Sequence, residues 1–287
     1  MTTRVGVVGT LSYEGLPAIL RGLAARAPTL DMTLVCEQPI ASSVPGAELL
    51  DDRTLIDVLL TLGGDGTMLR GARLVGARQI PVLGINLGRL GFLTACGADE
   101  WERALKQLAA HDYLVEPRMA LEARILREPD TRWRALNDVV LHKGGRARVI
   151  RILTEVGGEL VGAFAADGII VATPTGSTAY GLSAGGPVIV PTVESILLQP
   201  ISPHTLGMRP VVLPASAEIT LRVEDASDEI LVTIDGQVGT TFEDGDTLIV
   251  RRSERPVQVI RFRDGSFFAR MRRKFGWGGP GGQMNED

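Results

Sequence analysis

Short apolar runs and amphipathic stretches alternate over the first hundred residues. Arg4–Val8 is a nearly uniform apolar run that predicts a buried strand, and Glu14–Arg26 carries Leu16, Ile19, Leu20 and Leu23 at helical spacing. Met32–Cys36 and the very apolar Ile56–Thr61 predict two more strands, Thr67–Val75 a helix, Ile80–Ile85 a strand and Asp99–Ala109 an amphipathic helix. Strands alternating with helices imply βαβ units and a parallel sheet, and strands apolar on both faces imply a sheet covered on both sides.

The rhythm changes after Val115. From Met119 to Ile260 the pattern is mostly that of strands: Leu121–Leu126, Trp133–Leu141, Val149–Val156, Glu159–Phe164, Ile169–Ala172, Glu218–Val223, Ile230–Ile234, Thr247–Val250 and Val257–Ile260. Gly157-Gly158 between two of these runs is a two-residue hairpin signal. One helix is expected near Ser177–Ala184 and a last one at Ser266–Lys274, returning to the first domain. The expected fold class is an N-terminal α/β domain with a parallel sheet (1–115, plus the returning segment 262–275) and a β-rich, antiparallel, sandwich-like domain (116–261). Residues 276–287, with five glycines and Pro280, predict a disordered tail.

Composition narrows the class. A chain of 287 residues suits about two domains, and 45% apolar with 22% charged residues is globular composition. Thirty basic minus 34 acidic residues gives −4, so no global positive charge points to nucleic acid or a membrane surface. Lys106, Lys143 and Lys274 are the only lysines and none follows a glycine, so the GxxxxGKS/T phosphate loop is absent. Cys36 and Cys96 make no disulfide framework and imply a reduced, cytoplasmic setting. Scattered His111, His142 and His204 give no zinc-site spacing. The apolar run after Met1–Arg4 is too short for a signal peptide, and the uncharged stretch 168–193 holds three prolines and five glycines, unlike a membrane span.

The sharpest local feature is Gly63-Gly64-Asp65-Gly66-Thr67, between a strand and a helix. Its glycines let backbone N–H groups face an anion at the positive end of a helix. An aspartate there repels phosphate, so its chemistry is that of a base or a magnesium partner toward a hydroxyl attacking phosphorus. As a purely structural feature, the same residues form a tight turn with Asp65 as helix cap.

Asn86-Leu87-Gly88-Arg89-Leu90-Gly91-Phe92-Leu93 follows the next strand, where two glycine-rich loops at neighbouring strand ends can share one crevice. Its glycine spacing is not the dinucleotide GxGxxG, and Asn86 with Gly88 equally suits a plain turn. Asp167-Gly168 and the uncharged run Thr173–Pro187 form a second cluster, in which Tyr180 can stack and hydroxyls can hydrogen-bond a neutral heterocycle. Within it Gly181-Leu182-Ser183-Ala184-Gly185 imitates the GxSxG hydrolase elbow, but a helical stretch precedes it and His204 is the only later histidine. Asn137-Asp138 lies in an apolar run and calls for partners, either a ribose or nearby backbone. Arg148 and Arg151 read equally well as solvated strand residues.

Taken together these clusters resemble the NAD kinase family. The motifs are GGDGT at 63–67, NLGRLGFL at 86–93, NDVVLHKG at 137–144, DGIIVATPTGSTAYGLSAGGP at 167–187 and Asp235-Gly236-Gln237. A GGDGT turn also occurs in lipid kinases and phosphofructokinases, whereas TPTGSTAY is specific to this family. The resemblance implies phosphoryl transfer from ATP or polyphosphate to the 2′-hydroxyl of the adenosine ribose of NAD, with Mg²⁺ carried on the nucleotide. It makes Asp65 the general base, with Gly66 lining the same site and Arg70 near phosphate. It assigns Asn137 and Asp138 to the adenosine part of NAD and Arg148 to a basic position eleven residues after Asn137. Thr178, Ala179, Tyr180, Gly181, Leu182 and Ser183 match the adenine-facing segment, and Asp167 and Gln237 match further NAD contacts. Ala165 stands where some relatives carry arginine. The resemblance further implies a homodimer or homotetramer. A kinase of another hydroxyl substrate, such as a lipid, and a non-catalytic nucleotide-binding regulator are the alternative classes.

Overall fold

Runs of valine and leucine with no polar alternation build the centre of the first sheet. The structure is a computed structural model that describes residues 2–51, 53–89, 91–145, 149–204, 207–224, 229–263 and 265–277. The chain divides into two units, Met1–Pro117 with Val257–Asp287, and Arg118–Pro256.

The first unit holds β1 (Thr3–Gly9), β2 (Met32–Cys36), β3 (Glu48–Leu49), β4 (Val58–Leu62), β5 (Val82–Asn86), β6 (Cys96–Gly97) and β7 (Leu114–Arg118), joined by β20 (Val257–Arg261) from the end of the chain. Their order is β3-β2-β1-β4-β5-β20-β7, with β6 beside β5. The β1–β2, β1–β4, β4–β5 and β5–β20 pairs are parallel. All five residues of β4 and of β5 are buried, as strands covered on both faces require. The helices are α1 (Leu16–Arg26), α2 (Gln38–Ala41), α3 (Asp65–Val75), α4 (Trp101–Ala109) and, from the returning segment, α6 (Phe267–Phe275). The spacing read in α1 faces the core: Leu16, Ile19, Leu20 and Leu23 are its buried residues. The strand order turns at β1, with β2 on one side and β4 on the other, and the loops after β4 and β5 leave neighbouring carboxyl ends.

The second unit holds β8 (Leu121–Ile125), β9 (Trp133–Ala135), β10 (Asp138–Lys143), β11 (Ile150–Val156), β12 (Glu159–Ala166), β13 (Gly168–Ala172), α5 (Tyr180–Ser183), β14 (Ser195–Ile201), β15 (Val211–Pro214), β16 (Ile219–Glu224), β17 (Ile230–Ile234), β18 (Val238–Phe242) and β19 (Leu248–Arg252). They form two six-stranded sheets, β15-β14-β13-β10-β17-β18 and β12-β11-β16-β19-β8-β9. Val139, Leu141, Ile169 and Val171 of one sheet share a core with Leu121, Ile152, Leu221 and Leu248 of the other, which makes the unit an antiparallel sandwich. Gly157 (φ +60°) and Gly158 (φ +83°) form the expected hairpin turn between β11 and β12.

Four expectations change. Val257–Ile260 is not part of the β-rich unit but pairs with β5, because its apolar pattern fits either sheet and only the tertiary partner decides. Trp133–Leu141 is two strands in different sheets, broken at Leu136-Asn137, where a side chain takes over the backbone donors (below). The helix near Ser177–Ala184 is a 3-10 turn (Gly176–Thr178) followed by the single turn of α5. At the expected tail, Gly276 caps α6 with φ +66° and Trp277 packs on Phe275 at 5.3 Å between ring centres; the remaining tail residues lie outside the described set. Strands β3, β6, β7, β14, β15 and β18 escaped the sequence reading; Pro117, Pro200, Pro214 and the polar Thr240–Thr241 mask the last four.

Candidate active site

In the first unit the fully buried β4 ends at Leu62, and Gly63-Gly64 turns the chain into α3. Gly64 is the N-cap and Asp65 the first helical residue, so the carboxylate sits in the positively polarised first turn. Asp65 does not cap its own helix. Its Oδ2 accepts the Phe92 N–H at 2.7 Å and its Oδ1 accepts the Leu93 N–H at 3.0 Å. A carboxylate has about four acceptor positions, so two bonds orient it and leave capacity on each oxygen for another donor.

The loop after β5 is shaped to deliver those donors. Asn86 Nδ2 donates to the Arg89 carbonyl at 2.7 Å, and the Gly88 N–H donates to Asn86 Oδ1 at 2.8 Å. Of the two readings of this motif, Asn86 and Gly88 therefore serve the turn, and the turn serves Asp65. Gly66 lies in the same first turn of α3, and Arg70 one turn further on. The Arg70 guanidinium makes a bidentate ion pair with Glu37, whose Oε1 also accepts the Gly9 N–H at 2.7 Å; Arg70 Nη2 reaches the Gly9 carbonyl at 2.9 Å. Glu37 had no place in the sequence reading.

In the second unit Asn137 and Asp138 are both buried and stand at the start of β10. The carboxylate of Asp235 gathers the backbone there: it accepts N–H bonds from Leu136 at 3.1 Å, Asn137 at 2.7 Å and Asp138 at 3.2 Å. This is why the strand breaks at Leu136. Asp235 itself sits at φ +52°, a conformation that aspartate tolerates, on the turn after β17. Burial, and after it the charge of Asp235, pushes the Asp138 carboxyl up to about 7. Gln237 is exposed on the same turn.

The segment after β13 packs onto this corner. Thr173 Oγ1 donates to the Leu136 carbonyl at 2.6 Å and accepts the Gly176 N–H at 3.0 Å. Ser177 Oγ donates to the Pro174 carbonyl at 2.6 Å and accepts the Ile189 N–H at 2.9 Å. These two buried hydroxyls hold the loop in shape; the expectation that the cluster's hydroxyls serve a ligand does not extend to them, because their hydrogen-bonding capacity is engaged by backbone. Thr178 Oγ1 donates to the Thr175 carbonyl at 3.0 Å. Ala179 is partly buried, Gly181 is buried, Leu182 is partly buried, and Tyr180 and Ser183 are exposed, leaving ring and hydroxyl open. Ser183 closes a one-turn helix, not a strand, so the hydrolase elbow is absent.

Asp167 stands apart. It precedes β13, whereas Asn137 and Thr173 lie at the other end of β10 and β13, six residues or roughly 20 Å away at about 3.3 Å per residue. Its Oδ1 pairs with Lys143 Nζ at 2.7 Å. The sequence cluster 167–187 is thus split by the length of a strand. Arg148 lies outside the described residues; Arg151 pairs with Glu224 at 2.7 Å.

Asp235 and Glu37 are the residues that spacing did not single out. Asp235 had a signal, an Asp-Gly pair closing an apolar strand. Glu37 had none. Among the described residues no group of three His, Cys, Asp or Glu side chains could hold a metal ion, and no helix is long and apolar enough to cross a membrane.

Residues 47–113 match the ATP-NAD kinase N-terminal domain family and residues 136–262 the ATP-NAD kinase C-terminal domain family. A NAD kinase of Gemmatimonas aurantiaca is 55% identical over 286 residues, covering 99% of both chains. One from Heliobacterium modesticaldum is 45% identical over 232 residues, 80% of this chain and 82% of the relative. Among solved structures, yeast NADH kinase complexed with NADH has a TM-score of 0.87 at 25% identity, covering 99% of this chain and 90% of the other. A NAD kinase from Archaeoglobus fulgidus in complex with ATP has a TM-score of 0.72 at 29% identity, covering 96% and 98%.

Proposed function

The chain belongs to the NAD kinase family and phosphorylates NAD with ATP, and from that premise we propose that Asp65 is the general base for transfer to the 2′-hydroxyl of the adenosine ribose. The observation that carries this is the clamp on Asp65: two backbone N–H groups fix its carboxylate at a helix start and leave acceptor capacity on both oxygens. In the reaction the hydroxyl proton passes to Asp65, the hydroxyl oxygen bonds to the γ-phosphorus, and the bond to the bridging oxygen breaks, releasing ADP. Holding reactants in line supplies much of the acceleration, which is what a fixed carboxylate offers.

Asn137 and Asp138 are assigned to the adenosine ribose, supported by their burial and by the Asp235 clamp on their backbone. Tyr180 and Ser183, with ring and hydroxyl exposed, are assigned to the adenine, together with the neighbouring Thr178, Ala179, Gly181 and Leu182. Asp167 and Gln237 belong to more distant parts of NAD, and Gly66 and Arg70 to the donor phosphates. Mg²⁺ would be carried on the donor phosphates beside the Asp65 carboxylate, since it commonly binds through phosphates and one or two carboxylates. Bound there with Asp65, it would neutralise charge on the phosphates. The buried cysteines Cys36 and Cys96, the thiol of the first pushed up to about 11 by burial and then by Glu37, support a reducing cytoplasmic setting. The assembly is assigned as a homo-oligomer, on the family resemblance alone.

The test is NADP formation from NAD, ATP and Mg²⁺, read with an NADP-specific dehydrogenase, in the parent and in Asp65→Asn. Loss of at least about 100-fold in turnover, with NAD affinity by calorimetry within about twofold, is expected of a lost base. Turnover near the parent's would remove Asp65 from that role.

A further inference from the structure

One peptide group in the loop after β5 faces charge on both sides. Its N–H, on Leu93, donates to Asp65 Oδ1 at 3.0 Å. Its carbonyl, on Phe92, accepts from Arg261 Nη2 at 2.7 Å and from Arg270 Nη1 at 3.0 Å. Both arginines are buried, at 7% and 8% exposure, and both come from the returning end of the chain, Arg261 closing β20 and Arg270 on α6. Each holds a second carbonyl of the same loop: Arg261 Nη1 that of Thr94 at 2.8 Å, Arg270 Nη2 that of Ala95 at 3.4 Å. Glu116 Oε2 lies 3.6 Å from Arg261 Nε.

Two guanidinium groups on one carbonyl exceed what a loop needs to keep its shape. Like charges repel, and each buried cation carries a desolvation cost. The arrangement makes chemical sense when the amide is followed to its other end. Charge-assisted donors on a carbonyl oxygen are strong and polarise the amide, so its N–H becomes a better donor to the carboxylate beyond it. We infer that Arg261 and Arg270 are positioning residues for phosphoryl transfer, which fix and polarise the Phe92–Leu93 peptide and through it hold the Asp65 carboxylate. The inference rests on the reading of Asp65 as base. It ties β20 and the last helix of the first unit to the reacting group through a single peptide, by arginines 169 and 178 positions beyond Phe92 in sequence.

The experiment is a double-mutant cycle in the full chain: parent, Arg270→Met, Asp65→Asn and the pair, with Arg270→Lys as the conservative variant. Turnover and KM are read by NADP formation, NAD affinity by calorimetry and folding by thermal melting. Arg270→Met is expected to lower kcat about 10- to 100-fold with NAD affinity within about twofold, as misplacement of a reacting group does. Arg270→Lys, which keeps a cation on the Phe92 carbonyl, is expected to recover most of that loss. On the Asp65→Asn background, Arg270→Met is expected to remove no more than about another twofold, because the two changes act on one device. Equal fold losses on both backgrounds, or a kcat for Arg270→Met near the parent's, overturn the inference and leave the base reading intact. Near-parent turnover in Asp65→Asn overturns both. If Arg270→Met fails to melt cooperatively, the same cycle with Arg270→Gln, which also removes the cation, decides by the same criterion of non-additivity.

Discussion

Gly91 and Asp65 are in such close contact that a Cβ on Gly91 would lie 1.9 Å from Asp65 Oδ1 and 2.4 Å from its Cγ. The missing side chain is the space in which the carboxylate rests while Phe92 and Leu93 donate to it. Gly91→Ala therefore pushes the carboxylate off both donors without changing any group that reacts. Turnover should fall about 100-fold, as for a displacement of about 1 Å at a reacting group, with NAD affinity unchanged. Steady-state kinetics beside calorimetry checks it; parent-like kcat would mean that the loop yields and Asp65 stays.

Gly176 plays the corresponding part in the second unit, but against backbone. A Cβ there would lie 2.0 Å from the Asn137 carbonyl oxygen and 2.4 Å from its carbonyl carbon. A flexible side chain can rotate away and a peptide group cannot, so Gly176→Ala must move the Asn137-Asp138 corner. The expected outcome is a rise in the KM for NAD of about tenfold and a loss of about 1–3 kcal/mol in stability, typical of overpacking. Kinetics and urea denaturation would show it, and an unchanged KM would detach this corner from NAD.

How far these sites could be read without coordinates follows from the range of the contacts. GGDGT announced itself because a strand, a tight turn and a helix start are local, and α1 and the Gly157-Gly158 hairpin were legible for the same reason. The roles of Gly91, Asp235 and Glu37 were not, because each depends on a residue that chain spacing cannot bring near: Asp235 reaches Asn137 across 98 positions and Glu37 reaches Arg70 across 33. The break of the Trp133–Leu141 run shows the mechanism. Its apolar pattern favours one strand, yet a distant carboxylate takes three of its N–H groups and diverts the chain between sheets. The hydroxyls of Thr173 and Ser177 misled in the other direction, since residue type cannot tell a ligand contact from a backbone brace.

Arg70 offers a further test of the donor side. Its guanidinium has five N–H groups, and Glu37 and the Gly9 carbonyl engage three of them. The brace orients the remainder without exhausting it, and the side chain is 42% exposed. Arg70→Met should raise the KM for ATP about tenfold, the scale of one lost hydrogen bond to a charged group, and leave the KM for NAD alone. A drop in melting temperature with no change in the KM for ATP would make Arg70 a purely structural partner of Glu37.

Asp138 links stability and binding through pH in opposite senses. Its carboxyl is pushed up to about 7 by burial and then by Asp235, against about 3.9 in an unfolded chain. Between those values the folded protein retains a proton that the unfolded chain has lost, so stability falls as pH rises through about 4 to 7. Below that window Asp138 is protonated in both states and costs nothing; above it the carboxylate is ionised in both states and the full cost remains. Asp138→Asn does not titrate, so its melting temperature should exceed the parent's by a margin that grows from about pH 4 to about pH 7 and then levels. Binding should run the other way. An ionised carboxylate accepts hydrogen bonds from ribose hydroxyls with both oxygens, so NAD affinity of the parent should strengthen as pH rises through about 7, and Asp138→Asn should bind more weakly with that dependence gone. Asp235→Asn supplies the control, since it keeps an acceptor oxygen and tolerates the φ of +52° but removes the neighbouring charge. In that variant the Asp138 window should move to lower pH. Melting curves and calorimetric titrations of the three proteins across this range decide it: a stability margin independent of pH would remove the buried carboxyl from the account, and a pH-independent NAD affinity would remove it from the ribose.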